Sequence, residues 1–187
     1  MLKKERGSIL TGEYLNILNR YISQASETMC LRPGVERGAL SILEKSIAPL
    51  RIGMDLQELF LRCGGAGGND MFFGDSNFMS LKDSLAEYAQ FKSLCYEIGV
   101  TWPDALFPVG STQSTMLVLL RQEDFIDSEI YMFYPGNGDM TIYKEYDCLL
   151  EMFEALLQPN LVADSTNTQP TYDLTADKRT MPSDWYL

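Results

Sequence analysis

A glycine-rich stretch, CGGAGGNDMFFGD at residues 63–75, is the first part of this sequence that could bind a ligand. Such loops can hold phosphates, but a Walker loop needs a lysine and a hydroxyl directly after its last glycine. Here Asn69 and Asp70 follow the glycines instead. A dinucleotide loop follows a strand and opens a helix, whereas this stretch follows a predicted helix and precedes a predicted strand, MFF. We therefore interpret Gly64 and Gly65 as structural residues of a left-handed helix C-cap, and we expect no cofactor.

Carboxylates are the second kind of residue that could do chemistry. Asp70 and Asp75 flank MFF, and their oxygens could bind calcium in principle. No DxDxDG spacing accompanies them, so we interpret them as solvated turn residues and predict no metal site.

A larger acidic group lies between residues 122 and 154, where Lys144 is the only basic residue. Nine acids against one lysine give −8, most of the net charge of −11. The nine acids are Glu123, Asp124, Asp127, Glu129, Asp139, Glu145, Asp147, Glu151 and Glu154. This group is either a solvated surface that confers solubility or an electronegative face that steers a basic partner onto the protein.

Under the second interpretation, the candidate contacts lie on and beside the connections between predicted strands, where recognition residues tend to lie. We name as candidate partner contacts Glu123, Asp124, Asp127, Glu129 and Asp139, supported by Tyr131 and Tyr134 if those rings face out.

Composition excludes several classes of function. The 187 residues suffice for one ordinary domain and contain no histidine, the usual general base and the commonest zinc ligand. Four widely spaced cysteines without a CxxC motif indicate buried free thiols. The negative charge disfavours nucleic acid, and no apolar run approaches the roughly 20 residues of a membrane span. With no secretion signal found, we expect a cytoplasmic protein that binds neither nucleic acid nor membrane.

Hydrophobic periodicity predicts the elements that must position these residues. Residues 11–30, 35–48 and 54–63 are predicted to be amphipathic helices, and a fourth helix begins at the cap residue Ser80. On the third helix, Leu56, Leu59 and Phe60 are predicted to face inward, with Asp55, Gln57, Glu58 and Arg62 in water.

From about residue 105 the period changes, and branched and aromatic residues predict antiparallel strands. PGNGD at 135–139 predicts the turn between the last two, and residues 146–158 return to helical spacing. This order predicts an α+β fold with helices packed on one mainly antiparallel sheet. We divide the chain into an N-terminal helical extension (1–34), an α+β domain (35–158) and an extended C-terminal tail (159–187).

The order of pieces from ILEKSIAPL through DLQELFLRCGG and WPDALFPVGSTQSTMLVLL to IYMFYPGNGDMTIYKEYDCLLEMFEALL resembles the SUKH superfamily. The yeast cell-wall-synthesis regulators and many bacterial immunity proteins share this fold. The likeness covers about residues 35–158 and is best at Trp102 and Phe107-Pro108-Val109-Gly110 and at the closing strand and helix. Trp102 and Pro108 are expected to be structural, with Trp102 as a buried anchor. Many members carry Asn-Gly in place of Gly64-Gly65.

The resemblance implies a non-catalytic binding domain rather than an enzyme. Many bacterial members are immunity proteins that bind and neutralise a toxin domain, frequently a nuclease, delivered by contact-dependent or secretion systems. An acidic protein could occupy the basic substrate surface of a nuclease as a phosphate mimic. A regulatory or scaffold domain of the same fold is the alternative. A third hypothesis is an enzyme that uses carboxylates alone around a metal ion, and this requires acids that converge in a pocket.

Overall fold

The computed structural model describes residues 12–48, 50–68, 70–112, 117–121, 128–133, 140–158 and 170–175. Within these ranges the chain forms five helices and seven strands. The helices are α1 (Gly12–Ser26), α2 (Arg37–Ser46), α3 (Met54–Arg62), α4 (Leu81–Glu97) and α5 (Leu149–Leu157). The strands are β1 (Leu31–Pro33), β2 (Cys63–Ala66), β3 (Leu106–Ser111), β4 (Leu117–Arg121), β5 (Ile130–Phe133), β6 (Thr141–Tyr146) and β7 (Pro170–Asp173).

The strands form two antiparallel sheets, β1-β2 and β3-β4-β5-β6-β7. Backbone hydrogen bonds from residues 77–79 join them: Asn77 N–H and Met79 N–H donate to β3, and Phe78 C=O accepts from Ala66 of β2. Each strand of the larger sheet pairs with its neighbour in sequence. The predicted α+β class with antiparallel strands is therefore confirmed.

Helix α4 shows how local sequence places a helix on this sheet. Its N-cap Ser80 accepts a hydrogen bond from Asp83 N–H at 3.2 Å, as the sequence predicts. Helical spacing then gives a buried stripe on which Tyr88 and Phe91 pack against β3 and the residues beside it. The ring centroids of Phe91 and Trp102 lie 5.2 Å apart, and those of Tyr88 and Phe107 lie 5.7 Å apart.

The segments predicted as an N-terminal extension and a C-terminal tail both join the main core. Leu18 and Tyr21 of α1 are buried, and the Tyr21 ring lies 4.9 Å from the Phe153 ring of α5. Strand β7 extends the sheet beside β6, and Leu174, which follows it, is buried. Helix α1 and Leu174 therefore belong to the same hydrophobic core as the domain between them.

Gly64 and Gly65 lie in a strand rather than in a helix cap, so the predicted left-handed C-cap is wrong. Helix α3 ends directly in β2 through Cys63, whose φ is −140°. A Cβ on Gly64 would lie 2.3 Å from the carbonyl oxygen of Pro33, and one on Gly65 would lie 3.1 Å from that of Phe78. Gly65 also has φ +125°, which other residues rarely adopt. These glycines allow close packing of β2 against its two neighbours.

Two further local predictions are wrong. MFF at 71–73 is not a strand, because only Phe73 makes an isolated bridge, to Ser76. Asp55 is not in water, since it is only 1% exposed.

Candidate protein-interaction site

The buried carboxylate of Asp55 connects α3 to the start of β5. Its Oδ1 accepts from Ser128 Oγ at 2.8 Å and from Leu56 N–H at 2.8 Å, and its Oδ2 accepts from Ser128 N–H at 3.1 Å. The backbone carbonyl of Asp55 accepts from the Tyr14 hydroxyl at 2.7 Å, which adds α1 to the connection. We refer to Asp55 and Ser128 as the clamp. It fixes the position at which the chain enters β5.

A chain of polar contacts begins at the residue after the clamp. Glu129 Oε1 lies 2.6 Å from Lys144 Nζ, and its Oε2 accepts from the Tyr131 hydroxyl at 2.6 Å. Lys144 Nζ also lies 2.7 Å from Asp147 Oδ1. Asp147 N–H in turn donates to Oε2 of Glu151, in the first turn of α5, at 2.8 Å. These contacts link β5, β6 and α5 at one end of the sheet.

Burial lowers the pKa of the Lys144 ammonium, but hydrogen bonds to Asp147 and Glu129 outweigh burial and raise the pKa overall. Lys144 is therefore charged at neutral pH, and its charge is directed at Asp147 and Glu129.

Three carboxylates lie near enough to Tyr146 to affect the pKa of its hydroxyl. Burial, followed by Glu145, Asp75 and Glu151, raises the pKa of the Tyr146 hydroxyl. The carboxyl of Glu145, which is half-buried, also has a raised pKa, first because of burial and then because of Asp75. We refer to Asp75, Glu145, Tyr146 and Glu151 as the Tyr146 patch.

The Tyr146 patch combines negative charge with an aromatic ring. Asp75 and Glu151 are exposed, while Glu145 and Tyr146 are half-buried. Repulsion from Asp75, which adds to the effect of burial on the pKa of Glu145, would be relieved by a cationic group placed against the patch. A lysine or arginine side chain could meet both the carboxylates and the ring, because cations bind aromatic faces as well as carboxylates.

The predicted partner contacts are only partly within the described residues. Glu123, Asp124, Asp127, Tyr134 and Asp139 lie outside them. Tyr131 was predicted to contribute only if its ring faces out, and the ring is instead 2% exposed with its hydroxyl bonded to Glu129. The Glu129 side chain is 24% exposed, and both of its oxygens contact groups of the same chain.

The residues expected to be structural lie in β2, in β3 or in the segment that leads into β3. Trp102 is 2% exposed, and its Nε1–H donates to the carbonyl of Leu106 at 3.2 Å. Pro108 lies within β3, beside a register shift between Pro108 and Gly110. Gly64 and Gly65 lie in β2, and Gly64 also lines a groove between α2 and the start of α4.

That groove is a second surface feature, of about 420 Å³, between α2 and the start of α4. Its lining is mainly apolar, with Ile42 and Leu43 on one wall and Leu81 and Leu85 on the other. Ile42 is 67% exposed, which is unusual for a large apolar side chain on a helix. The groove is suited to an apolar segment rather than to a charged surface.

The described residues contain no cluster of three or more histidine, cysteine, aspartate or glutamate side chains arranged to hold a metal ion. Among the helices described, none has the length and apolar character needed to cross a bilayer. The chain matches no protein-family model, and a search of curated proteins finds no significant match.

The sequence analysis predicted neither the clamp nor the proximity of the residues that form the Tyr146 patch. Asp75, Glu145 and Glu151 are all visible as acids in the sequence, but Asp75 was interpreted as a turn residue separate from the acidic group. Asp75 and Glu145 lie 70 positions apart, and nothing in the sequence indicates their proximity. Asp55 was assigned to solvent, although an acid in the first turn of a helix is favoured near its free backbone N–H groups.

Proposed function

We propose that this chain is a non-catalytic binding protein with a SUKH-like fold that binds and neutralises a cognate toxin domain with a basic surface. The Tyr146 patch is the observation that carries the proposal. Asp75, Glu145 and Glu151 lie around one tyrosine, and the pKa of Glu145 is raised by burial and by Asp75. Such an arrangement is electrostatically unfavourable in the free protein and becomes favourable against a cation.

The charge of the whole chain supports the same proposal. A net charge of −11 attracts cationic surfaces over a distance and speeds encounter with a basic partner. A nuclease toxin is one such partner, because its substrate surface must attract phosphates. The carboxylates of this chain would occupy that surface in place of the nucleic acid, and the protein would act in the cytoplasm, where a toxin must be neutralised.

The order of elements supports the family proposal. Helices precede an antiparallel sheet whose strands pair in sequence order, and α5 follows the strand pair β5-β6. This is the order on which the resemblance over residues 35–158 rests.

The experiment compares two variants that lose the same number of charges at different places. The patch variant carries Asp75→Asn, Glu145→Gln and Glu151→Gln. The control carries Glu36→Gln, Glu87→Gln and Glu97→Gln, on α2 and α4, so that both have a net charge of about −8. Each protein is used to capture partners from the lysate of the source organism, at low salt and at roughly 0.5 M salt.

We expect a basic protein to be captured by the wild type and by the control, but to be lost by the patch variant. Expression of that protein should arrest growth, and co-expression of the wild-type chain should restore it. Equal capture by both variants would reject the patch as the binding site. Capture of a partner that has no toxic effect on growth would reject the immunity function while leaving the binding function.

A regulatory or scaffold domain is the second candidate, and the groove beside Ile42 is the observation that favours it. An apolar groove can hold an amphipathic segment of another protein. Ile42→Asp should then abolish capture of a partner that is held equally well at low and high salt. If Ile42→Asp leaves every captured partner unchanged, this alternative is rejected.

A further inference from the structure

Lys144 is the only basic residue between positions 122 and 154, and it directly precedes Glu145 of the Tyr146 patch. A lysine in this place would be expected to neutralise the patch. The Lys144 ammonium instead contacts Glu129 and Asp147, while burial followed by Asp75 raises the pKa of Glu145. The charge of Lys144 is therefore directed elsewhere.

The contacts of Lys144 explain this. Its Nζ lies 2.6 Å from Oε1 of Glu129 and 2.7 Å from Oδ1 of Asp147. The strand register between β5 and β6 shifts at this point, so that Tyr131 lies opposite Lys144 while Ile130 lies opposite Tyr146. No residue of β5 therefore lies opposite Glu145. An irregularity of this kind changes the direction of the neighbouring side chains.

Glu129 is better fixed than Asp147. Its side chain is 24% exposed, compared with 81% for Asp147. The hydroxyl of the buried Tyr131 donates to its second oxygen. The preceding residue, Ser128, is hydrogen-bonded to Asp55 through both its backbone N–H and its hydroxyl. The backbone and the carboxylate of Glu129 are thus both held by buried groups.

We propose that Glu129 is a positioning residue that holds the Lys144 ammonium away from the Tyr146 patch and so keeps the patch available for a cationic group of a partner. This inference rests on the proposed function for its purpose, but the placement of Lys144 can be tested without any partner. The sequence analysis predicted Glu129 as a direct contact with the partner. In this proposal Glu129 acts through Lys144 instead.

The first experiment follows the titration of the Glu145 carboxyl by NMR in the protein alone. In Glu129→Gln, Lys144 loses an anionic partner and can approach Glu145, which should lower the pKa of Glu145. Glu36→Gln on α2, which removes one charge at a different place, is the control and should leave that pKa unchanged. The double variant Glu129→Gln/Lys144→Gln should return the pKa of Glu145 towards its wild-type value.

Lys144→Gln provides a second test that leaves Glu129 in place. If Glu129 directs the ammonium away from the patch, removing the ammonium should hardly change the pKa of Glu145. A clear rise in Lys144→Gln would show that Lys144 already neutralises the patch and would overturn the inference. An unchanged pKa of Glu145 in Glu129→Gln would overturn it as well.

The second experiment uses a hexalysine peptide as a cationic probe at low salt, with binding followed at the resonances of Tyr146. We expect Glu129→Gln to weaken binding by about threefold, the size of effect typical of one partly exposed ion pair, and the double variant to restore it. Restoration separates this role from a general structural one, because a damaged fold would not recover on loss of Lys144.

The two experiments separate the two proposals. If the pKa of Glu145 responds as expected but the patch variant still captures the natural partner, the function proposed for the patch is wrong and the role of Glu129 in placing Lys144 stands. If the patch variant loses the partner while Glu129→Gln changes neither the pKa nor peptide binding, the function stands and the role of Glu129 is wrong.

Discussion

The clamp and the Tyr146 patch contain the same functional group in opposite environments. The carboxylate of Asp55 is almost fully buried and accepts hydrogen bonds from Leu56 and Ser128. The carboxylate of Glu145 is half-buried, lies near a second acid, and has a raised pKa. One carboxylate accepts hydrogen bonds from buried donors, whereas the other lies near a carboxylate that disfavours its negative charge.

This difference separates a structural role from a binding role. A buried acid that is supplied with donors stabilises the elements that supply them, here α3 and the start of β5. Acids that repel one another at a surface do not stabilise the fold, and their arrangement is favourable only when a cation is added. Mutations at the clamp should therefore reduce stability, whereas mutations at the patch should reduce binding.

The largest expected effect on stability is that of Asp55→Ala. The change leaves the backbone N–H groups of Leu56 and Ser128 and the Ser128 hydroxyl without their acceptor in a buried place. We expect the free energy of unfolding to fall by about 3 kcal/mol, measured by urea denaturation. Asp104→Ala removes a carboxylate from a partly exposed pair with Lys92 and should cost less than about 1 kcal/mol. Equal losses in the two variants would remove the distinction between buried and surface carboxylates.

A smaller effect is expected from Gly53→Ala, which tests the clamp without removing any polar group. Gly53 has φ −56°, which alanine adopts readily, so the backbone is not strained. The added Cβ would lie 2.5 Å from Ser128 Oγ and 2.7 Å from Asp55 Oδ1, and the clamp would have to move. We expect a loss of about 2 kcal/mol in the free energy of unfolding.

Gly38→Ala is the matched control for this substitution. A Cβ at Gly38, which lies in α2, meets nothing within 4 Å. Alanine should raise the free energy of unfolding there by about 0.5–1 kcal/mol through its higher helix propensity. If Gly53→Ala is as well tolerated as Gly38→Ala, the clamp is not tightly packed and its role in fixing Ser128 is rejected.

The parts of the fold that depend on local periodicity were predicted correctly from the sequence. Helix α4 and its cap follow from Ser80 and the apolar spacing after it, and no distant residue is needed to identify them. The two glycines of β2 were misassigned because the reason for them lies in Pro33 and Phe78, which approach only in the folded sheet. Asp55 was misassigned because a helical pattern assigns acids to solvent, while its partner Ser128 lies 73 positions away.

The candidate site shows the same limit. The excess of acids between residues 122 and 154 is visible in the sequence, but the direction of the Lys144 ammonium is not. That direction depends on the register shift between β5 and β6 and on the clamp. Charge counting can therefore predict that a partner is basic, but not which acids remain available to it.

The smallest expected effect on stability is the pH dependence of Glu145→Gln. Burial and then Asp75 raise the pKa of Glu145 above its ordinary value of 4.5, so the folded state binds a proton more readily than the unfolded state. The resulting contribution to stability is fully present below pH 4.5 and is lost as the pH rises through the raised pKa. Because glutamine does not ionise, the Glu145→Gln variant does not lose this stability as the pH rises.

The variant and the wild type should therefore be equally stable at about pH 4, and the variant should become more stable, by about 0.5 kcal/mol, near pH 7. Urea denaturation at several pH values measures the difference, with the exposed Glu97→Gln as the control for loss of one charge. A wild type that gains stability over the variant as the pH rises would mean that Glu145 is paired with a cation. The patch would then resemble the clamp, and the distinction between a structural and a binding carboxylate would be lost.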